Sequence, residues 1–214
     1  MTEILLIRHG ETAWNVEKRL QGHLDIPLNR IGQRQAVALG RALQNEPLDA
    51  IIASDLQRAV QTAHAVAAPR GMPVHTDPGL RERCYGAFEG LLYTDIGTRY
   101  PEAFAAWRSR DLDIRFPAGA HVAETLREFS ERAVAAVTRV VDGRNYRKVA
   151  LVTHGGVLEC VYRAAMGIGF THARDFDILN ASINRVLWSG NGLQILQWSD
   201  VTHLAPAALD EIDR

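Results

Sequence analysis

The stretch ILLIRHGET, residues 4–12, decides the fold and raises the first question about function. Its four branched apolar residues form a run short enough for one buried β-strand. The run ends directly on Arg8, His9 and Gly10, a cation, an imidazole and a glycine. A second run, VALVTHGG at 149–156, repeats the order of apolar strand, histidine and glycine. The repeated order indicates two strands that each deliver an imidazole to one site.

Apolar periodicity in the rest of the chain predicts strands that alternate with helices. Further strands are expected at 48–54 and 72–76 and in a hairpin over 184–198 around Asn191-Gly192. Helices are expected at 30–44 with Asn29 as N-cap, after a capping box of Ser54 and Gln57 and running to about 68, at 125–141 and at 156–166. Most of 91–146 is expected to be helical, and the tail from 205 is expected to be loose apart from a short helix at 208–212.

This alternation predicts an α/β fold with a mainly parallel sheet, in which the hairpin adds antiparallel pairing at one end. The 214 residues are enough for one large domain, expected to span 1–214 with a helical cap insertion at about 91–125. The formal net charge of −1 argues against a nucleic-acid partner or an anionic membrane.

The cysteines and the lengths of the apolar runs bear on location. No apolar run approaches the roughly 20 residues of a membrane span. The two cysteines, Cys84 and Cys160, form no C-x-x-C pair, so a reducing, cytoplasmic setting is expected. A homo-oligomer is compatible with the sequence, which does not specify an oligomeric state.

Ligands of an open parallel sheet bind beyond the carboxyl ends of its strands. Arg8 and His9 follow the first strand, Ser54 and Arg58 follow the second, and His154 follows the 149–153 strand. If these strands are neighbours, two histidines and two arginines converge, and two helix N-termini add oriented N–H groups. Each of these residues alone is more typical of an ordinary surface position, but together they suit a phosphate dianion.

Hydrolysis of a phosphate ester also needs a proton donor. The segment LRERCYGAFEG, 80–90, offers Glu82, which is expected to lie at the same edge and to be partly buried. The alternative for Glu82 is a surface salt bridge with Arg81 or Arg83.

Four blocks of the sequence resemble the histidine phosphatase superfamily, the phosphoglycerate mutase-like proteins. These blocks are LLIRHGETAWN (5–15), SDLQRAVQTA (54–63), LRERCYGAFEG (80–90) and VTHGG (152–156), in the order of the family. The resemblance implies a three-layer α/β/α sandwich and a phosphohistidine mechanism. It implies that His9 is the nucleophile, that Arg8, Arg58 and His154 form the phosphate pocket, and that Glu82 is the proton donor. It also implies phosphate or substrate contacts at Thr12, Asn15, Gln21, Gly22 and Gly155.

The resemblance therefore predicts a metal-independent phosphatase that acts on a small phosphorylated metabolite without a cofactor. Two alternatives stay open: a phosphoglycerate mutase that uses 2,3-bisphosphoglycerate, and a phosphate-binding regulator without turnover. Mutases of the family usually carry a longer insertion between the glutamate block and the second histidine. Many relatives have a compact Gly-Glu-Ser before the long helix, whereas this chain has FPAGAHVAETLREF at 116–129, with Glu124-Thr125 as the nearest counterpart.

Other phosphatase and metalloenzyme signatures are missing from the sequence. Neither cysteine begins a C-x5-R motif, and no histidine has a second histidine four residues on. The P-loop motif of nucleotide-binding kinases is also missing.

Overall fold

The computed structural model describes residues 1–204, and within them six strands form one sheet. The strands are β1 (Thr2–Arg8), β2 (Ala50–Ala53), β3 (Val74–Thr76), β4 (Lys148–Thr153), β5 (Ile183–Trp188) and β6 (Leu193–Asp200). Their order across the sheet is β3-β2-β4-β1-β5-β6. Strands β1 to β4 pair in parallel, and the β5–β6 hairpin joins the β1 side antiparallel, as predicted. The short helix predicted at 208–212 lies outside the described residues.

Seven α-helices occur among the described residues. They are α1 (Ala13–Val16), α2 (Arg30–Leu43), α3 (Gln57–Ala67), α4 (Tyr93–Arg99), α5 (Pro101–Arg108), α6 (Leu126–Val141) and α7 (Gly155–Met166). Between α5 and α6 the chain is irregular over 109–125, so the predicted helical stretch is interrupted there. None of the helices in residues 1–204 has the length and apolar character needed to cross a bilayer.

The alternating side chains of β1 show how the layers form. Ile4 and Leu6 are fully buried in a cluster with apolar residues of α6 and α7. Leu5 and Ile7 point the other way, into a cluster with α2 and α3. A strand covered on both faces requires a continuous apolar run, which residues 4–7 provide. The structure is therefore the predicted three-layer α/β/α sandwich.

The strand register places the functional segments next to one another. Arg8 of β1 pairs with Thr153 of β4, and Ala53 of β2 pairs with Val152 of β4. The main chain continues this pairing one residue further, because the His9 N–H donates to the Thr153 carbonyl over 3.0 Å. The residues that follow β1, β2 and β4 thus leave the sheet side by side.

The two predicted helix caps have different outcomes. Asn29 caps α2 as predicted, and its side-chain oxygen accepts the Gly32 N–H over 2.8 Å. The Ser54–Gln57 capping box is wrong, because the first N–H of α3, at Gln57, instead donates to the Asp25 carboxylate over 2.6 Å. The Ser54 hydroxyl accepts the N–H of Leu56 over 3.4 Å and lies 2.8 Å from a ring nitrogen of His154, so it does not cap Gln57.

Helices α4 and α5 belong to a separate apolar cluster beside the sheet edge. Its buried members are Leu20, Phe88, Ile96, Phe116 and Ala123, and aromatic side chains of both helices pack against them. This cluster holds 91–125 above the carboxyl ends of the strands. The division of the chain into one domain with a cap insertion stays a prediction.

Candidate active site

A cavity of about 120 Å³ opens at the carboxyl edge of the sheet, where the ends of β1 and β4 meet. The predicted site residues on its wall are Arg8, His9, Asn15, Gln21, Gly22, Arg58, Glu82 and Gly155. These residues come from five separate stretches of the chain. Of the other two predicted residues, His154 lies against His9 and Arg58 beneath the wall, and Thr12 is buried next to Asn15.

The surroundings of His9 favour a neutral imidazole. Its Nδ1 lies 2.7 Å from the Gly10 carbonyl, which can only accept, so Nδ1 carries the proton and Nε2 keeps its lone pair. Burial lowers the pKa of the His9 imidazole well below its ordinary value, and the charges of Arg58 and Arg8 lower it further. Gly10 has no room for a side chain, because a Cβ there would lie 2.6 Å from the Gly32 carbonyl oxygen.

His154 faces His9, with the two ring centroids 5.1 Å apart and the planes at 60°. Its Nδ1 accepts the Arg58 Nε–H over 3.2 Å, so its Nε2 carries the proton and donates to the Ser54 hydroxyl over 2.8 Å. Burial lowers the pKa of His154 well below its ordinary value, and the Arg58 charge lowers it further. The ring is neutral at pH 7 and aligns the Arg58 guanidinium.

Two buried guanidiniums flank the His9 ring. Arg58 is 1% exposed and donates to the carbonyls of Leu24 and Gly22 over 2.9 and 2.8 Å. Burial lowers the pKa of Arg58 to about 10, which still leaves it charged at neutral pH. Arg8 is also buried and donates to the Ile178 carbonyl over 2.7 Å. Two fixed cations beside a neutral imidazole favour a phosphate group at this position.

Glu82 is half-buried on the wall of the same cavity. Its two carboxyl oxygens accept the backbone N–H groups of Arg83 and Gly156, over 2.7 and 2.9 Å. The Arg83 guanidinium donates instead to the Glu124 carbonyl, and that of Arg81 pairs with Asp55. The salt-bridge alternative for Glu82 is therefore wrong for both neighbours. Its carboxyl group is aimed by the N-terminus of α7, and each oxygen keeps a second lone pair for a proton.

Arg132 on α6 is a site residue that the sequence reasoning missed. Its guanidinium donates to the carbonyls of Gly79, Arg81 and Glu82 over 2.8, 3.0 and 3.1 Å. It also forms a two-pronged ion pair with the Glu124 carboxylate, at 2.6 and 2.7 Å. One guanidinium thus fixes the main chain that carries Glu82. Position 132 gives no signal in the sequence, because an arginine on an amphipathic helix is usually solvated.

Thr12 and Asn15 lie together at the start of α1. The Thr12 hydroxyl accepts the Asn15 N–H over 3.2 Å, and the Asn15 side-chain oxygen accepts the Thr12 N–H over 3.0 Å. Thr12 is fully buried by this reciprocal cap, whereas Asn15 reaches the cavity wall. The structure thus places Thr12 as a support for Asn15.

A second cavity of about 460 Å³ adjoins the first and shares Tyr85, Tyr93, Gly156 and Glu159 with it. It lies beneath α5, and its wall combines aromatic rings with guanidinium groups. The aromatic members include Phe104, Trp107 and Phe170, and the cationic members are Arg83, Arg108, Arg110 and Arg174. The same wall carries the carboxylates of Asp111 and Glu159, and Glu159 pairs with Arg110 at 2.6 Å. A small phosphate pocket therefore continues into a larger space lined by aromatic rings, arginines and two carboxylates.

Buried histidines and arginines around a phosphate-sized cavity at the edge of an α/β/α sandwich are typical of enzymes that transfer phosphoryl groups. Residues 4–201 match the family described as the histidine phosphatase superfamily, branch 1, and the chain belongs to this family. The predicted family is thereby confirmed, as is the predicted class of enzyme, a phosphatase of this superfamily.

Curated relatives and solved structures resemble the chain over nearly its whole length. Phosphoglycerate mutase-like protein 4 of Arabidopsis thaliana is 39% identical over 206 residues, which cover 94% of this chain and 86% of the relative. The metal-independent phosphoserine phosphatase of the same plant is 36% identical over 208 residues, covering 96% and 84%. The structure of Bacillus stearothermophilus YhfR, 33% identical, superposes with a TM-score of 0.86 over 95% of this chain and 99% of that one.

Proposed function

We propose that the protein hydrolyses small phosphomonoesters through a phosphohistidine intermediate on His9. The arrangement that carries this proposal is the neutral His9 ring between two buried guanidiniums, with the Glu82 carboxyl on the wall of the same cavity. The phosphate group binds beside Arg8 and Arg58, and His154 keeps the Arg58 guanidinium in place.

The first step transfers the phosphoryl group to the enzyme. The lone pair on His9 Nε2 forms a bond to phosphorus while the bond from phosphorus to the ester oxygen breaks. The protonated Glu82 carboxyl gives its proton to that leaving oxygen, so the product departs as a neutral alcohol. The Nδ1–H bond to the Gly10 carbonyl keeps the ring oriented throughout.

The second step returns the enzyme to its starting state. The Glu82 carboxylate removes a proton from water, and the water oxygen attacks phosphorus as the P–N bond breaks. Phosphate leaves, and His9 is again neutral with a lone pair on Nε2. No metal ion takes part in either step, in agreement with the name of the metal-independent phosphoserine phosphatase.

The adjoining cavity is where we place the leaving group. Its arginines favour a leaving group that carries a carboxylate, and its rings give apolar contact to the carbon chain. The relative named a phosphoserine phosphatase supports this substrate class, because phosphoserine has a carboxylate near the ester. We therefore expect kcat/KM to be higher for phosphoserine or 3-phosphoglycerate than for glycerol phosphate, and equal values would contradict the assignment.

Steady-state phosphate release from p-nitrophenyl phosphate tests the reaction. His9→Ala is expected to lower kcat on the order of 10³-fold or more, while His64→Ala, an exposed histidine on α3, leaves it unchanged. Activity should survive dialysis against a chelator, and quenched wild-type enzyme should hold a phosphate that is stable in alkali and labile in acid. An active His9→Ala variant, or a strict metal requirement, would refute the proposal.

The mutase alternative is tested separately, since several relatives are named phosphoglycerate mutase-like or probable phosphoglycerate mutase. The enzyme is incubated with 3-phosphoglycerate and 2,3-bisphosphoglycerate. Isomerisation to 2-phosphoglycerate that runs faster than phosphate release would decide for the mutase.

A further inference from the structure

Three side chains that the phosphatase chemistry leaves unused meet beside the active site. The thiol of Cys84, the carboxylate of Glu89 and the imidazole of His121 place one ligand atom each within 4.8 Å of one another. Cys84 is buried, Glu89 is half-buried, and His121 is exposed on the irregular segment before α6. We propose that these three residues bind a Zn²⁺ ion, which fastens the segment around His121 to the segment that carries Glu82.

The donor set decides the choice of metal. A thiolate, an imidazole and a carboxylate together suit Zn²⁺, whereas Mg²⁺ and Ca²⁺ require oxygen ligands alone. Ligand atoms around a tetrahedral zinc lie about 3.5 Å apart, so the three atoms need to close by about 1 Å. His121 can make this movement, because its side chain is exposed and its segment has no regular secondary structure.

Glu89 supplies a carboxylate oxygen close to the Cys84 thiol. Its Oε1 accepts the backbone N–H groups of His23 and Tyr85, over 2.9 and 3.0 Å, which fixes the carboxylate. Its Oε2 is buried and has no hydrogen-bond partner, a costly state for a carboxylate oxygen. A cation between Oε2 and the Cys84 sulfur satisfies this oxygen.

His23 is a further imidazole close to His121, on a separate segment of the chain. Its ring centroid lies 6.0 Å from that of His121, and its Nε2–H donates to the Glu82 carbonyl over 2.8 Å. Because Nε2 carries the proton, the remaining nitrogen, Nδ1, keeps its lone pair. Ligating histidines in zinc sites usually donate their other N–H to a carbonyl or a carboxylate in this way.

Zinc binding also requires deprotonation of the thiol. As the sulfur–zinc bond forms, the S–H bond breaks and its proton goes to the buffer. Zinc competes with this proton for the sulfur, so affinity should rise with pH. The reaction involves no oxidant or reductant.

Titration of the full chain with Zn²⁺ against a chromophoric chelator tests the site. We expect one equivalent to bind. His121→Ala and Cys84→Ser should each weaken the affinity about 100-fold, whereas the control variant His64→Ala should leave the affinity unchanged. His121→Ala is the decisive variant, because an exposed side chain can be removed without unfolding the protein. Equal affinity in the wild type and His121→Ala, or no binding at all, would overturn the proposal.

Cobalt gives an independent reading of the same site. Co²⁺ bound through sulfur shows a thiolate-to-metal absorption band in the near ultraviolet, which Cys84→Ser should abolish. A Co²⁺ complex without this band would place the metal elsewhere. The two proposals fail separately, because hydrolysis of p-nitrophenyl phosphate in chelator tests the phosphatase chemistry and not the zinc site.

Discussion

Gly156 offers a way to displace the Glu82 carboxyl without removing any catalytic group. A Cβ atom built on Gly156 would lie 2.2 Å from Glu82 Oε1 and 3.0 Å from Glu82 Cδ. It would also lie 3.0 Å from a ring carbon of Phe129, so the added methyl group is confined on that side as well. The substitution Gly156→Ala therefore pushes Glu82 out of its position by about 1 Å, since ordinary contact begins at 3.4 Å.

The size of the effect follows from what Glu82 supplies. A positioned general acid contributes about 10²- to 10⁴-fold to a rate, and a misplacement of 1 Å costs about 10²-fold. We therefore expect kcat/KM for an alkyl phosphomonoester to fall about 10²-fold. For p-nitrophenyl phosphate the loss should stay below about 10-fold, because its phenolate leaves readily without a proton.

The assay compares kcat/KM for phosphoserine and p-nitrophenyl phosphate in the wild type and Gly156→Ala. This ratio is informative because kcat/KM reports the transfer to His9 and omits the later hydrolysis. Gly192→Ala is the matched control, since a Cβ there meets open space in the β5–β6 turn. Alanine also favours a helix more than glycine does, so the variant should fold. An equal loss on both substrates, or no loss, would refute the assignment of Glu82 as the acid.

Two further predictions concern pH and stability. Burial and the charge of Arg58 lower the pKa of His9. In the pH profile of kcat/KM, corrected for substrate ionisation, the midpoint of the acid limb should therefore lie well below pH 6.5. A midpoint at pH 6.5 would contradict the neutral nucleophile. Glu124→Gln should lower the free energy of unfolding in urea by about 1–3 kcal/mol at pH 7, because it breaks the pair with Arg132, whereas the exposed Glu131→Gln should not. Burial opposes the charge of Glu124, but the hydrogen bonds of the carboxylate outweigh burial and lower its pKa in the folded state. The stabilisation by Glu124 is therefore present above about pH 4.5. The difference in unfolding free energy between wild type and variant should shrink as the pH falls below that value.

Residues 4–12 carry most of what the sequence reveals about the fold. A four-residue apolar run is typical of a strand covered on both faces and favours a parallel sheet, whereas the three-layer arrangement is implied by the family resemblance. The convergence of His9 and His154 follows from the same rule, because parallel strands end at one edge. Glu82 could be placed at that edge only because its segment follows the third strand.

Ser54 shows where local reasoning failed. Its spacing to Gln57 satisfies a capping box, and in an isolated helix that cap would be expected to form. In the folded chain the hydroxyl accepts from His154, and Asp25, 32 residues before Gln57, caps the helix instead. The partner of Ser54 is thus decided by the buried hydrogen bonds of the folded chain, which join the segments of Asp25, Ser54 and His154.

The role of His154 depends on this choice at Ser54. With Ser54 accepting from Nε2, Nδ1 is left as an acceptor and receives the Arg58 Nε–H. Without the Ser54 hydroxyl, Nε2 of His154 would have no acceptor at this position. In the opposite tautomer, the His154 Nδ1–H and the Arg58 Nε–H would point at each other. The hydrogen-bond direction at His154 is therefore fixed by the Arg58 Nε–H, which can only donate, and the Ser54 hydroxyl completes it as an acceptor that no short-range pattern reveals. The residue types of a site follow from sequence blocks, but their protonation states follow from contacts that only the complete fold assembles.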